Sequence, residues 1–133
     1  MPDLCLGTAQ FGLDYGIANL SGKVDIQTVE GILSFAEQND LQFIDTAPVY
    51  GNAEAILGKL LNPTSSVRII SKLPTQSSDR WSSNQIEQWE FNFQKSLNNL
   101  GRSALYALLL HSPSNLLHPD RDLLINWLHS LLD

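Results

Sequence analysis

The sequence predicts a parallel α/β fold, and three observations carry that prediction. Four short apolar runs alternate with four longer segments whose apolar residues recur at helical spacing. Each return to a parallel strand needs a helical crossover, so the order β–α–β–α–β–α–β–α implies neighbouring strands that run the same way. The third observation is that polar residues able to do chemistry fall where the predicted strands end. The element order alone leaves two architectures open, a doubly wound sheet and part of a (β/α)8 barrel.

The first strand is read at Leu4 to Thr8, followed by a glycine-rich loop through Gly12, Gly16 and Gly22. Asp25 is placed to cap a helix whose inward stripe is Val29, Ile32, Leu33 and Ala36, with Asn39 at its end. A second run, Leu41 to Ile44, leads into Asp45-Thr-Ala-Pro-Val-Tyr-Gly51, and the next helix carries Ile56, Leu57, Leu60 and Leu61 before Asn62-Pro63 stops it. The third run, Val67 to Ser71, delivers Lys72 to its end, and a polar loop occupies Pro74 to Ser83. Ser82 and Gln85 have the spacing of a capping box. The helix they open has the stripe Ile86, Trp89, Phe93, Leu97 and Leu100, and Gly101 suits its C′ position. The fourth run, Leu105 to Leu110, is nearly all apolar, as for a strand buried on both faces, and it delivers His111. Pro119 suits the first position of a last helix with Leu123, Leu124, Trp127, Leu128 and Leu131 inward.

Bulk properties bound the function. The 133 residues are enough for one domain, read over 1–133, with 43% hydrophobic and 17% charged side chains. The net charge is -6, and the eight basic residues are scattered, which argues against a nucleic-acid partner. The longest apolar stretch, Ala104 to Leu110, is far below the roughly 20 residues of a membrane helix. The Met1–Gly7 start has neither the basic nor the apolar region of a signal peptide. Cys5 is the lone cysteine, read as a buried small hydrophobe, which rules out an internal disulfide and a thiolate metal site. The expected setting is the cytoplasm.

Asp45, Lys72 and His111 each fall at the end of a different predicted strand, with Tyr50 in the loop just beyond one. Each alone has an ordinary explanation, as a turn residue, a core phenol, a solvated amine or a packed imidazole. Together, in a barrel, they converge on the face where active sites of that fold lie. The set also makes chemical sense for carbonyl reduction. A phenol is a poor acid at neutral pH, and a neighbouring ammonium favours its ionised form. Asp45 is expected to hold Lys72 as its ion partner, and a neutral His111 to donate to a substrate carbonyl. The cluster lacks a reductant, which implies a hydride-donating cofactor.

The motifs Leu6-Gly-Thr-Ala-Gln-Phe-Gly12, Asp45 to Gly51 with Glu54 and Leu57-Gly58, Ile70-Ser-Lys-Leu73, Ser96-Leu-Asn-Asn-Leu100 and Leu108-Leu-Leu-His111 resemble the aldo-keto reductase family through essentially the whole chain. The resemblance implies a (β/α)8 TIM barrel of which the first four βα units, a half barrel, are present. It implies Tyr50 as general acid, Asp45, Lys72 and His111 completing a tetrad, and Thr8 and Asp45 beside the nicotinamide of NADPH or NADH, without metal. The implied reaction reduces a small-molecule aldehyde or ketone to an alcohol. The Gly7 to Gly22 stretch is similar to bacterial members found with surface-sugar biosynthesis genes, which adds sugar-like carbonyls to the expected substrates.

Length departs from the family, since such a barrel takes about 250 residues. The expectation is therefore a fragment of a longer reductase, or a chain completed by a C-terminal half-barrel or by self-association through open sheet edges. A non-catalytic binding or regulatory subunit on the same fold is the alternative, although Tyr50 and Lys72 are both present. An open sheet binding a phosphorylated ligand would call for a Gly-x-Gly-x-x-Gly or Gly-Lys-Ser/Thr loop, and the chain has neither.

Overall fold

A computed structural model describes residues 4–132. Met1 to Asp3, part of the start read as lacking a leader, lie outside the described residues, as does Asp133. Four strands, β1 (Cys5–Gly7), β2 (Phe43–Asp45), β3 (Arg68–Leu73) and β4 (Ala107–Leu110), form one parallel sheet in the order β1-β2-β3-β4. The helices are α1 (Ala9–Gly12), α2 (Ile26–Gln38), α3 (Ala53–Leu60), α4 (Ser83–Leu100) and α5 (Arg121–Ser130), with a 3-10 turn at Pro113–Leu117. A doubly wound sheet reverses its strand order at a switch point. Here the order is sequential throughout, which is the winding of a barrel.

The pleat explains which face is covered. Ile44 on β2 and Ile69, Ser71 and Leu73 on β3 are all buried beneath the helices. Alternation then turns Phe43, Asp45, Arg68, Ile70 and Lys72 to the other face. One core joins Val29 and Leu33 of α2, Ala53 and Leu57 of α3, Ile44 and Ile69. A second packs Leu73 against Trp81, Trp89, Leu124 and Trp127.

Most predicted stripes match these cores, and Gly101 ends α4 with φ 61°, as a C′ glycine does. Asp25 caps α2 as expected, its carboxylate accepting from the Thr28 N–H at 3.0 Å and from the Thr28 hydroxyl at 2.6 Å.

Several expectations are corrected. Cys5 is exposed, because β1 is an edge strand and Cys5 pairs in register with Phe43 on the uncovered face. Leu109 is likewise 45% exposed on the uncovered face, and Leu108 and Leu110, on the face that packs against the helices, are half-buried, so β4 is not the strand buried on both faces that its apolar run suggests. Pro119 is not the start of α5. Asp120 is the N-cap, and the proline that opens a helical turn is Pro113. Ser82 is the N-cap of α4 but the capping box does not form: the Gln85 amide donates to the Ser82 carbonyl oxygen at 2.9 Å, and the Gln85 side chain turns away to donate to Gln76 Oε1 at 2.7 Å. The glycine-rich loop hides the short helix α1, which no periodicity announces.

Helices α3 and α4 cross at Gly58, where an added Cβ would lie 2.0 Å from the Asn99 carbonyl oxygen. Gly58→Ala is expected to lower unfolding free energy by about 2 kcal/mol or more, read by urea denaturation, because rigid backbone must move. Acid titration gives a second check. The Thr28 hydroxyl and amide hold the Asp25 carboxyl below the usual carboxylate range. Its stabilising contribution is complete above the ordinary carboxylate pKa and is lost as pH falls through the lowered one. Asp25→Ala should therefore lower Tm at neutral pH and flatten the acid limb of the stability curve.

Candidate active site

All four residues named from the sequence gather at the C-terminal ends of the strands. Asp45 is the last residue of β2 rather than the first after it, and it stands opposite Gly7 and Ile70 in the ladder. Lys72 is two residues beyond Ile70, so it shares the face of Asp45. Its Nζ lies 2.7 Å from Asp45 Oδ1, 2.6 Å from Oδ2 and 3.1 Å from the Thr46 carbonyl oxygen. An ammonium has three donors. All three are thus taken, and none remains for the Tyr50 hydroxyl. The ammonium instead sits 5.0 Å from the centre of the Tyr50 ring, so it acts on the phenol through its field.

The Tyr50 ring in turn meets the imidazole of His111 edge-on, with centroids 6.2 Å apart. His111 follows β4 directly, and its amide extends the ladder by donating to the Leu73 carbonyl oxygen at 3.0 Å. Tyr50 is half-buried and His111 is exposed, so the pair opens to solvent while Lys72 and Asp45 sit beneath with 15% and 29% of their side chains accessible.

Thr8, expected beside the cofactor, is fully buried. Its amide and hydroxyl both donate to the Asp45 carbonyl oxygen, at 3.0 and 2.9 Å. Thr8 therefore pins the backbone that carries the carboxylate. Gly7, beside Asp45 on the uncovered face, has nothing within 4 Å of where a Cβ would stand. That leaves room for a flat group next to the ion pair. Cys5 lies near the same pair, and burial pushes its thiol up, with the Asp45 charge adding to the effect. It is consequently a poor nucleophile at neutral pH.

Two supports had little or no signal in the sequence. Helix α1 brings Gly12 so close to the Tyr50 loop that a Cβ there would lie 1.7 Å from the Tyr50 carbonyl oxygen. Gly51 answers it, at φ 61° with the Gly12 carbonyl oxygen 2.4 Å from its own Cβ position. Two glycines distant in sequence, Gly12 and Gly51, thus seat the tyrosine, and no local rule links them. Glu54, singled out as a motif residue without a role, is 3% exposed on α3 and accepts a hydrogen bond from the Ser71 hydroxyl at 2.8 Å. That bond ties α3 to β3 immediately behind Lys72. A groove of about 530 Å³, lined by Gln42, Val67 and Arg68 with Glu37 and Asp40, lies at the opposite end of the strands and includes none of the four residues.

The sequence pattern of the Aldo/keto reductase family matches residues 3–129. The chain belongs to the aldo/keto reductase family. Two solved structures from Pseudomonas aeruginosa, provisionally named aldo-keto reductases, are similar to it. One is 30% identical with a TM-score of 0.75, over 97% of this chain and 50% of that one. The other is 29% identical with a TM-score of 0.70, over 97% and 49%. No curated protein matches. The chain thus spans about half the length of the reductase-family structures it resembles, and its four βα units correspond to half of the barrel. No helix among the described residues is long and apolar enough to cross a membrane.

The two glycines beside the site should respond unequally to one methyl group. Gly12→Ala is expected to cost about 2 kcal/mol or more and to shift the NMR signals of Tyr50. Gly7→Ala should leave stability within about 0.5 kcal/mol. Equal effects in denaturant would contradict the close approach of Gly12 to Tyr50.

Proposed function

We propose that these residues belong to an NAD(P)H-dependent oxidoreductase that reduces an aldehyde or ketone, sugar-like carbonyls among them, with Tyr50 as general acid. The observation that carries this reading is the Lys72 ammonium, clamped by Asp45 and Thr46 and lying against the Tyr50 ring. A carbonyl oxygen that becomes an alkoxide needs a proton donor, and the Tyr50 hydroxyl is the group on this rim able to supply it. In this reading His111, whose ring meets Tyr50 edge-on, donates to that oxygen and orients it.

One feature supports a nicotinamide cofactor. The strip beside Gly7 is open, and the Asp45 carboxylate borders it on the uncovered face of the sheet. Asp45 would hold the cofactor at that edge, with Thr8 fixing Asp45 from behind. The cofactor, when bound, supplies the hydride. The protein's own part is to hold the carbonyl between Tyr50 and His111 and to pass a proton from the Tyr50 hydroxyl to the new alkoxide. Activity, substrate and cofactor preference are proposed for the protein in which this half of the barrel works.

The half-length match gives the alternative its footing: a half-barrel acting as a binding or regulatory subunit, completed by a second half-barrel or by self-association. NADPH oxidation with a panel of small aldehydes separates the readings. Tyr50→Phe is expected to lower kcat by roughly 10²–10⁴-fold with little change in KM, the scale of a lost general acid. Lys72→Met should lower kcat as well. Equal rates for wild type and Tyr50→Phe would remove Tyr50 as the acid and leave the binding-subunit reading in front.

A further inference from the structure

At the end of the sheet away from Tyr50, the uncovered face carries a charge that no described residue neutralises. Arg68 opens β3 on that face, level with Phe43 in the ladder. Its guanidinium lies 5.4 Å from the centre of the Phe43 ring and 5.2 Å from that of Tyr106, and the two rings are themselves 5.4 Å apart. Arg80 and Arg121 pair with acids, and Arg102 donates to the Asn62 and Pro63 carbonyls. Among the described residues the Arg68 fork meets neither an acid nor a carbonyl.

The rest of that face offers it no counter-charge. Among the described residues its strands present one carboxylate there, Asp45, and the Lys72 ammonium holds both of its oxygens. Lys72 is four residues beyond Arg68, about 13 Å along the strand. The two aromatic rings attract the guanidinium and hold its plane, which leaves its N–H groups free. A fork placed in this way is preorganised for a carboxylate.

In a closed barrel this face becomes the interior, which is only wide enough for side chains to fill. An arginine keeps its charge when buried, and a buried charge is costly unless it is paired. We propose that the face is closed by a second four-stranded half-barrel of different sequence, one that brings an aspartate or glutamate to Arg68. This rests on the chain being half of a barrel and is independent of the reduction chemistry proposed above.

A second copy of this chain is the occupant that Arg68 refuses. Two copies closed about the barrel axis would set β3 of each diametrically opposite the other, four strands round. Interior layers are filled from alternate strands, so the two third strands share a layer. Symmetry then brings both Arg68 guanidinium groups to the same level, with no carboxylate of the described residues between them. Like charges that meet in an interior of low dielectric repel strongly. A partner half-barrel avoids this with a carboxylate at the start of its first or third strand, the two that fill the layer of Arg68.

Sedimentation of the whole expressed polypeptide tests this without any activity measurement. Wild type should sediment as a monomer of 14.8 kDa. Arg68→Glu makes a surrogate partner, because in a mixture it sets a carboxylate opposite the Arg68 of wild type. That mixture should sediment at about twice the monomer mass with the two chains in equal amounts, and neither chain should do so alone. Arg68→Lys keeps the charge, and mixed with wild type it should stay monomeric. A wild-type dimer would overturn the proposal, as would a mixture with Arg68→Glu that stays monomeric. Should Arg68→Glu fail to fold, Arg68→Met decides: freed of the repulsion it should dimerise on its own, and a monomer would overturn the proposal.

Discussion

Asp45 stands opposite Ile70 in the parallel ladder, and the pleat sets Lys72, two residues on, across the same face with its ammonium against the carboxylate. A slip of one residue between β2 and β3 would send Lys72 into the helix-facing core and bring Ser71 out in its place. Burial guards against that slip, because Ile44, Ile69, Ser71 and Leu73 all lie under the helices. The register is thus paid for by the apolar face and used by the polar one. Thr8 adds the third strand to this arrangement by holding the Asp45 carbonyl from β1.

The loops are fastened with equal economy of contact. Tyr50 is seated by the meeting of two backbones at Gly12 and Gly51, which leaves no volume for a side chain at either position. Behind Lys72, the Ser71–Glu54 bond joins sheet to helix in the buried layer. A buried carboxylate is costly unless it is hydrogen-bonded, so the bond offsets a penalty that burial of α3 imposes. Along the same rim, Asn115 bonds to Gln76 and His118 to Ser78, which draws the two later loops together.

The uncovered sheet face has a different character. Arg68 is held over the rings of Phe43 and Tyr106, at 5.4 and 5.2 Å from their centroids, and Leu109 and Cys5 are exposed on the same side. In a barrel this is the interior, which side chains from all strands fill in layers. The four strands described here provide half of such a filling, in keeping with a chain that spans about half the length of its structural relatives.

The sequence by itself determined the four strands, four of the five helices and the positions of Asp45, Tyr50, Lys72 and His111, because those depend on periodicity and on where apolar runs stop. It also determined the Asp25 cap and the Gly101 stop, which are local effects of one residue on adjacent backbone. The tertiary structure decided what depends on meetings between distant segments. Cys5 is exposed because β1 is an edge, Gln85 leaves its capping role for Gln76, and Pro119 yields the start of α5 to Asp120 beside Trp81. The tertiary structure also spent every Lys72 donor on Asp45 and Thr46, so that the ammonium reaches Tyr50 through space. Spacing along a chain fixes which face a side chain shares, but the partner it meets there comes from another strand, and its identity is set by folding.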